Sequence, residues 1–380
     1  MTMRVLCAPN AFKGSLDALG AAAAMARGVA LAHGEAVQLP VADGGDGTMD
    51  VLLAAAGTAA ATEEAEVSGP APGQRLTARL GWLDGTARQR RRAVVDLAEA
   101  CGLRRWPAGL PLDAGSASSR GAGELVARAV AAGASSILVG VGGSASTDGG
   151  TGLLAALGLG LIDAEGDPLP AGGIALARLA RLEVGELRSR LEQVEIEVLC
   201  DVDAPLVGPR GAATVFGPQK GAGPEMVPAL DAALARLAAT AERDAGVPAA
   251  MRMHAGAGAA GGCGYGLMAL AGARLVPGAT RVADAVGLDG ALATVDLVLT
   301  GEGRLDGSTA AGKAPAEVAR RAAAVGVPCV VLAGAVEGPS PAGVVEAVAI
   351  GAGLTLEVSQ RRTSELLQAA AGATVRRYSG

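Results

Sequence analysis

The sequence predicts an α/β protein in two parts, with a second domain inserted into the first. Three observations carry this. Short apolar runs alternate with Ala-rich helical stretches at both ends of the chain, the pattern of β-α-β units. Between about residues 61 and 97 the texture changes to alternating runs separated by Gly/Pro turns, which read as antiparallel strands and hairpins. Half of the 380 residues are hydrophobic but only 2% are aromatic, so Ala, Val, Leu and 58 glycines must form the core, an alphabet suited to helices packed closely on parallel strands.

Residues 4–8 form a strand that breaks at Pro9 and enters a loop containing Lys13-Gly14-Ser15; residues 16–32 form a helix for which Ser15 is the expected N-cap. Residues 37–41 are a second strand, Ala42-Asp43-Gly44-Gly45-Asp46-Gly47-Thr48 the loop after it, and 49–56 the next helix. Strands at 75–83 and 92–97 follow, and the arginines within 88–92 decorate an exposed strand edge. A helix at 122–132, a strand at 137–141, a loop at 142–152 and a buried helix at 153–161 come next. A strand at 195–199 runs into Cys200-Asp201-Val202-Asp203, and 226–244 is a long helix. From Asp296 the order is β-α-β-β-α, over 296–300, 315–325, 329–333, 344–350 and 364–371. The expected division is a discontinuous Rossmann-like domain of residues 1–65 and 280–380, with a parallel sheet, and an inserted mixed-sheet α/β domain of residues 66–279.

Several function classes are disfavoured. A net charge of −6 without a long basic block, and few aromatic faces, argue against nucleic acid as a partner. The opening Met1-Thr2-Met3-Arg4 leads into a strand too brief for a signal-peptide core, so a cytoplasmic location is expected. The uncharged window 255–273 carries seven glycines and reads as a Gly-rich loop entering a buried helix, with no membrane partner implied. The five cysteines are scattered without metal spacing and read as small buried hydrophobes. Only His33 and His254 are present, too few for a histidine metal cluster. Assembly into a homo-oligomer is compatible with the sequence.

The chemistry lies in polar loops at strand carboxyl ends, where open α/β sheets bind ligands. Within residues 296–315, Glu302 and Asp306 are suited to a divalent metal, Arg304 and Lys313 to phosphate, with Gly301 and Gly303 allowing close backbone approach. That mixture of signs points to phosphoryl transfer to a small molecule. The run Gly142-Gly143-Ser144-Ala145-Ser146-Thr147-Asp148-Gly149-Gly150 offers amides and hydroxyls to an anion, and Asp148 is a candidate base or orienter. Asp201 is favoured over Asp203 to face a ligand, because the turn ahead of Pro205 should splay the pair. Lys220 in Gly217-Pro218-Gln219-Lys220-Gly221 suits phosphate, and Lys13 is placed as a charge clamp. Residues 307–314 fit the core of a P-loop, but Ala314 stands where a Ser or Thr would hold magnesium, so a different Gly-rich phosphate loop is expected.

Together these blocks resemble one family. Ala8-Pro9-Asn10-Ala11-Phe12-Lys13-Gly14-Ser15, Ala42 to Thr48, Gly142 to Gly150, Cys200-Asp201-Val202-Asp203, Phe216-Gly217-Pro218-Gln219-Lys220-Gly221-Ala222, Gly256 to Gly262 and Thr300-Gly301-Glu302-Gly303-Arg304-Leu305-Asp306 are similar, in this order, to the blocks of bacterial glycerate kinases. The resemblance covers roughly residues 4–340 and implies ATP-dependent phosphorylation of D-glycerate with Mg²⁺, usually at the 2-hydroxyl, by two α/β domains with the active site in the cleft between them. On that reading Lys13 and Arg304 meet the glycerate carboxylate or the transferred phosphoryl group, and Asp201 or Asp148 is the base. Glu302 and Asp306 lie near the metal; Gly142, Gly143, Lys220, Gly301, Gly303 and Lys313 bind nucleotide; Asn10, Ser15, Asp43, Ser144 and Ser146 bind substrate. The family more often has Asp, Glu and Thr-Asn where this chain has Asn10, Asp46 and Ser146-Thr147. The alternatives are a kinase of a related hydroxy acid giving 3-phosphoglycerate, or a non-catalytic sensor of small acids.

Overall fold

The computed structural model describes residues 2–84, 91–307 and 312–379. Among them the strands in chain order are β1 Arg4–Pro9, β2 Glu35–Gln38, β3 Ala61–Ser68, β4 Arg75–Trp82, β5 Arg91–Asp96, β6 Ala134–Gly140, β7 Gly160–Ile162, β8 Arg181–Glu183, β9 Glu195–Leu199, β10 Arg274–Val276, β11 Leu297–Leu305, β12 Cys329–Val336 and β13 Val344–Ala349. The chain divides into two compact units, one of residues 1–43, 50–55 and 277–380, the other of residues 44–49 and 56–276.

The first unit is built on a five-stranded sheet in the order β13-β12-β11-β1-β2, parallel throughout. Its inner strands β1 and β12 are apolar on both faces because helices cover both. Successive side chains of β1 alternate accordingly: Val5 and Cys7 join Met25, Leu299 and Leu367 in one core, while Leu6 and Ala8 join Val298, Val318 and Leu292 in the other. The second unit has a six-stranded sheet in the order β10-β9-β6-β5-β4-β3, in which β10, β9, β6 and β5 run parallel and β4 and β3 are antiparallel additions. The parallel sheet and the mixed sheet are the two expected from the sequence.

Several local expectations are corrected. β11 does not stop at Thr300 but pairs with β12 as far as Leu305↔Val336. Glycine permits this extension: a Cβ on Gly301 would stand 2.0 Å from the Leu332 carbonyl oxygen. The run 153–161 is not one helix; the helix Thr151–Ala156 ends before Gly158, at φ +101°, and β7 follows. β5, read as a hairpin strand, is antiparallel to β4 but parallel to β6. Asp17, not Ser15, caps the first helix (Ala18–Leu31), its Oδ1 accepting from Gly20 N at 2.6 Å. Of the arginine cluster, Arg91 stacks over Trp82 at 4.3 Å and Arg92 pairs with Asp84 at 3.2 Å, while residues 88–90 lie outside the described residues.

Cys7, Cys101, Cys263 and Cys329 are buried and Cys200 half-buried, all as free thiols. Among the described residues no helix is long and apolar enough to cross a membrane. The uncharged window 255–273 instead holds the helix Ala259–Ala271, entered through Ala260, Gly261 and Gly262 at positive φ.

Candidate active site

In the first unit, loops gather at the carboxyl ends of β1, β2 and β11. Asn10 follows β1 and donates its backbone N–H to the Gly301 carbonyl at 2.8 Å. Its side-chain amide donates to Asp43 Oδ2 at 3.1 Å and its Oδ1 accepts from Ala11 N at 2.7 Å. An aspartate at this position would set two carboxylates against each other, so Asn10 suits its neighbour Asp43. The next residue but one, Phe12, is buried and closes a tight turn with Leu16, leaving Lys13, Gly14 and Ser15 exposed. Ser15 Oγ donates to the Phe12 carbonyl at 3.0 Å and so belongs to the turn. The backbone of Lys13 backs onto Gly303, where an added Cβ would lie 3.3 Å from Lys13 N. The turn thus presents Lys13 exposed, with its backbone against β11 at Gly303.

On β11 the alternation of a strand puts Thr300, Glu302 and Arg304 on one face. Thr300 Oγ1 donates to the Ala8 carbonyl at 2.7 Å and Glu302 is buried, while Arg304 is exposed and reaches Glu337 at 3.4 Å. Asp306 follows the strand, half-buried. Lys313 stands at the N-cap position of the helix Ala314–Ala324, whose positive end is suited to an anion, although Pro315 has no N–H and Ala316 N and Glu317 N donate to the Lys313 carbonyl at 3.0 and 3.1 Å. The part of the Gly-rich stretch at 308–311 lies outside the described residues.

In the second unit, the Gly44–Asp46 segment crosses the carboxyl ends of β6 and β9 at backbone distance. Gly142 N donates to the Gly44 carbonyl at 3.0 Å. A Cβ on Gly44, at φ +84°, would meet the Leu199 carbonyl oxygen at 2.4 Å, and one on Gly142 would meet Gly45 Cα at 2.4 Å. Asp46 forms an ion pair with Arg104 above this crossing. Gly44→Ala is therefore expected to destabilise the protein by about 1–3 kcal/mol. Gly47, at φ +92° but with nothing within 4 Å of an added Cβ, separates steric conflict from backbone strain. The urea midpoint should fall further in Gly44→Ala than in Gly47→Ala; equal shifts would refute the close approach.

The loop 142–150 divides in two. Gly142 is half-buried and Gly143 exposed, but Ser144, Ser146, Thr147 and Asp148 are buried. The hydroxyls expected to face a ligand are turned into the protein. Asp148 accepts from Ser119 N and Ser119 Oγ, both at 2.8 Å, from Gly150 N at 3.1 Å and from Gly152 N at 3.3 Å. Those donors occupy both its oxygens, so it locks the loop and is poorly placed as a base. Lys220, expected on an open phosphate loop, is also buried and donates to Ser144 Oγ at 3.0 Å and to the Ser146 carbonyl at 2.6 Å. Burial draws its pKa down to about 8, against the raising influence of Cys263, Asp148 and Cys101. After β9, Asp201 is half-buried, whereas Asp203 turns outward towards Arg210 at 4.0 Å.

Sequence reasoning missed the supports. Asp96 at the end of β5 accepts from Met49 N at 3.0 Å, Ser119 anchors Asp148, and Arg104 pairs with Asp46. Of these only Asp96, a lone carboxylate closing an apolar run, left a signal in its own segment.

The sequence profile of the glycerate kinase family matches residues 5–379. The chain belongs to the glycerate kinase family. A Bacillus subtilis (strain 168) glycerate kinase is 42% identical over 345 residues, covering 90% of this chain and 87% of the relative. The Escherichia coli K12 glycerate 2-kinase is 40% identical over 334 residues, 87% of this chain and 85% of the relative. A crystal structure of a Salmonella typhimurium LT2 protein provisionally named glycerate kinase 2 superposes with a TM-score of 0.82 at 39% identity, covering 100% of this chain and 99% of the other. These relatives are phosphotransferases by name, and kinases use nucleotides. Family membership therefore bears on both sets of residues described above.

Proposed function

We propose that the protein transfers the γ-phosphoryl group of ATP to the 2-hydroxyl of D-glycerate, in the cytoplasm, with Mg²⁺. The observation that carries this reading is the family match over residues 5–379, supported by a relative named glycerate 2-kinase. Lys13, held out on its anchored turn, neutralises the glycerate carboxylate or the moving phosphoryl group, and Arg304 acts in the same sense. Lys313, at the positive end of the helix Ala314–Ala324, receives nucleotide phosphates. The exposed Gly143 amide offers a second place for an anionic oxygen, whereas the Gly142 N–H is held by the Gly44 carbonyl.

Among the described residues no three His, Cys, Asp or Glu side chains come together for a metal. Mg²⁺ bound with a nucleotide needs only one or two protein carboxylates, the rest coming from phosphate and water oxygens. Glu302 and Asp306 fit that requirement and would hold it; when bound, the ion neutralises charge on the phosphate oxygens. Asp201 takes the proton of the 2-hydroxyl as the new O–P bond forms and the bond to the ADP oxygen breaks. Asp148 keeps its structural duty.

A coupled ADP-release assay over a panel of hydroxy acids, with phosphorus NMR of the product, tests this. ADP release that depends on glycerate and yields 2-phosphoglycerate is expected. Glycerate left unreacted while another hydroxy acid turns over would end the substrate assignment, and 3-phosphoglycerate would end the regiochemical one. Asp201→Asn should lower kcat by about 10²–10⁴-fold with KM little changed. An unaltered kcat would remove it as the base.

A further inference from the structure

Lys220 is the buried cation of the second unit whose tip is committed to the protein itself. It ends the short turn Pro218–Lys220, held by Lys220 N on the Gly217 carbonyl and Ala222 N on the same oxygen, at 2.9 and 3.0 Å. Gly221 follows at φ +92°, where a Cβ would stand 2.2 Å from the Leu112 carbonyl oxygen, so the turn has little room to shift. From this fixed base the ammonium reaches Ser144 Oγ and the Ser146 carbonyl. Both flanks of the loop are tied by backbone bonds, Gly142 N to Gly44, Ala145 N to Cys101 and Gly149 N to Gly261. The middle is less secured: Ser146 Oγ and Thr147 Oγ1 are buried with no hydrogen-bond partner among the described residues. Methionine would fill the same space without the cost of burying charge.

We propose that Lys220 is a positioning residue of the phosphoryl transfer, its ammonium fixing the backbone at Ser144–Ser146 and hence the aim of the exposed Gly143 amide. This rests on the proposed kinase reading and changes the part played by Lys220 from nucleotide contact to internal strut. The charged and titratable groups facing it are Asp148, Cys101 and Cys263. Because the ammonium is lost as pH rises through about 8, its grip on the carbonyl weakens over that interval.

The test combines Lys220→Met and Ser144→Ala with pH–rate profiles and hydrogen exchange. Lys220→Met should lower kcat about 100-fold with KM values nearly constant, the mark of lost alignment. The wild-type kcat should decline through pH about 8. That limb should vanish in Lys220→Met and move to lower pH in Ser144→Ala, which removes an acceptor that favours the charged form. A raised KM with unchanged kcat, a wild-type profile without the limb, or an unmoved limb in Ser144→Ala each overturns the proposal. Should Lys220→Met not fold, the wild-type and Ser144→Ala profiles decide. Amide exchange over residues 142–148 gives a readout free of turnover: it should quicken in both variants, and unchanged exchange overturns the strut. A wild-type protein inert towards glycerate would thus sink the kinase reading alone, with exchange still judging Lys220.

Discussion

Lys13→Ala is expected to lower glycerate-dependent ADP release by about 10²–10³-fold, the loss seen when a preorganised charge partner is removed from a transferring group. The side chain is exposed on a turn closed by Phe12 and Leu16, so its removal leaves the core untouched. Circular dichroism and the urea midpoint should match wild type. The alanine variant should lose more in kcat than in glycerate affinity if the ammonium meets the moving phosphoryl group. If it meets the substrate carboxylate, KM should carry most of the change. Turnover within about threefold of wild type would remove Lys13 from the machinery.

The largest effect on stability should come from Arg321→Met, at about 3–5 kcal/mol, because it breaks a buried charge pair from one side. The Arg321 guanidinium is 7% exposed and bonds to Glu317 Oε1 at 2.7 Å, Asp284 Oδ1 at 2.7 Å, Asp289 Oδ2 at 3.1 Å and the Thr280 carbonyl at 3.2 Å. It thereby ties three helices of the first unit, Gly278–Ala285, Leu288–Leu292 and Ala314–Ala324. Glu317, itself 8% exposed, would keep only the bonds from Arg320 among these partners. Burial raises the Glu317 pKa, but hydrogen bonds from Arg320 and Arg321 outweigh it, and the net shift is downward. The stabilisation is therefore present above the ordinary glutamate value and lost as pH falls through the lower native one. Urea unfolding at neutral pH and near about pH 4 should show the gap between wild type and variant narrowing at the lower pH, because wild type alone loses the stabilisation from Arg321 as Glu317 takes up its proton. Equal midpoints at both would mean the network contributes nothing.

Legibility of the sequence depended on how local each cause was. The parallel strands were readable because apolar runs such as Leu297–Leu299 and Cys329–Leu332 end at Gly, Pro or charge, and the loops after them are rich in Gly and Asp. The extension of β11 was not, since Gly-Glu-Gly-Arg reads as a loop until a partner strand some thirty residues later pairs with it. Ser15 and Asp17 are both competent caps; the Phe12–Leu16 bridge decided between them by drawing Ser15 into the preceding turn. The hardest question was which way a polar side chain points. Ser144 and Asp148 would have the same neighbours in sequence whether they held a ligand or held the loop, and their inward partners lie far away, at Lys220 and Ser119.

The strand order β11-β1-β2 has a consequence for how the molecule is made. β1 leaves the ribosome well before its neighbour on one side: Arg4 N bonds to Asp296 Oδ2, 292 residues downstream. Through most of synthesis the apolar flank of Arg4–Pro9 has its β-α-β companion, β2, but not its long-range one, an edge open to misjoining. The intervening segment carries its own complete sheet and can settle early. Nascent chains released before Leu297–Leu305 emerges should thus be the ones most dependent on chaperones.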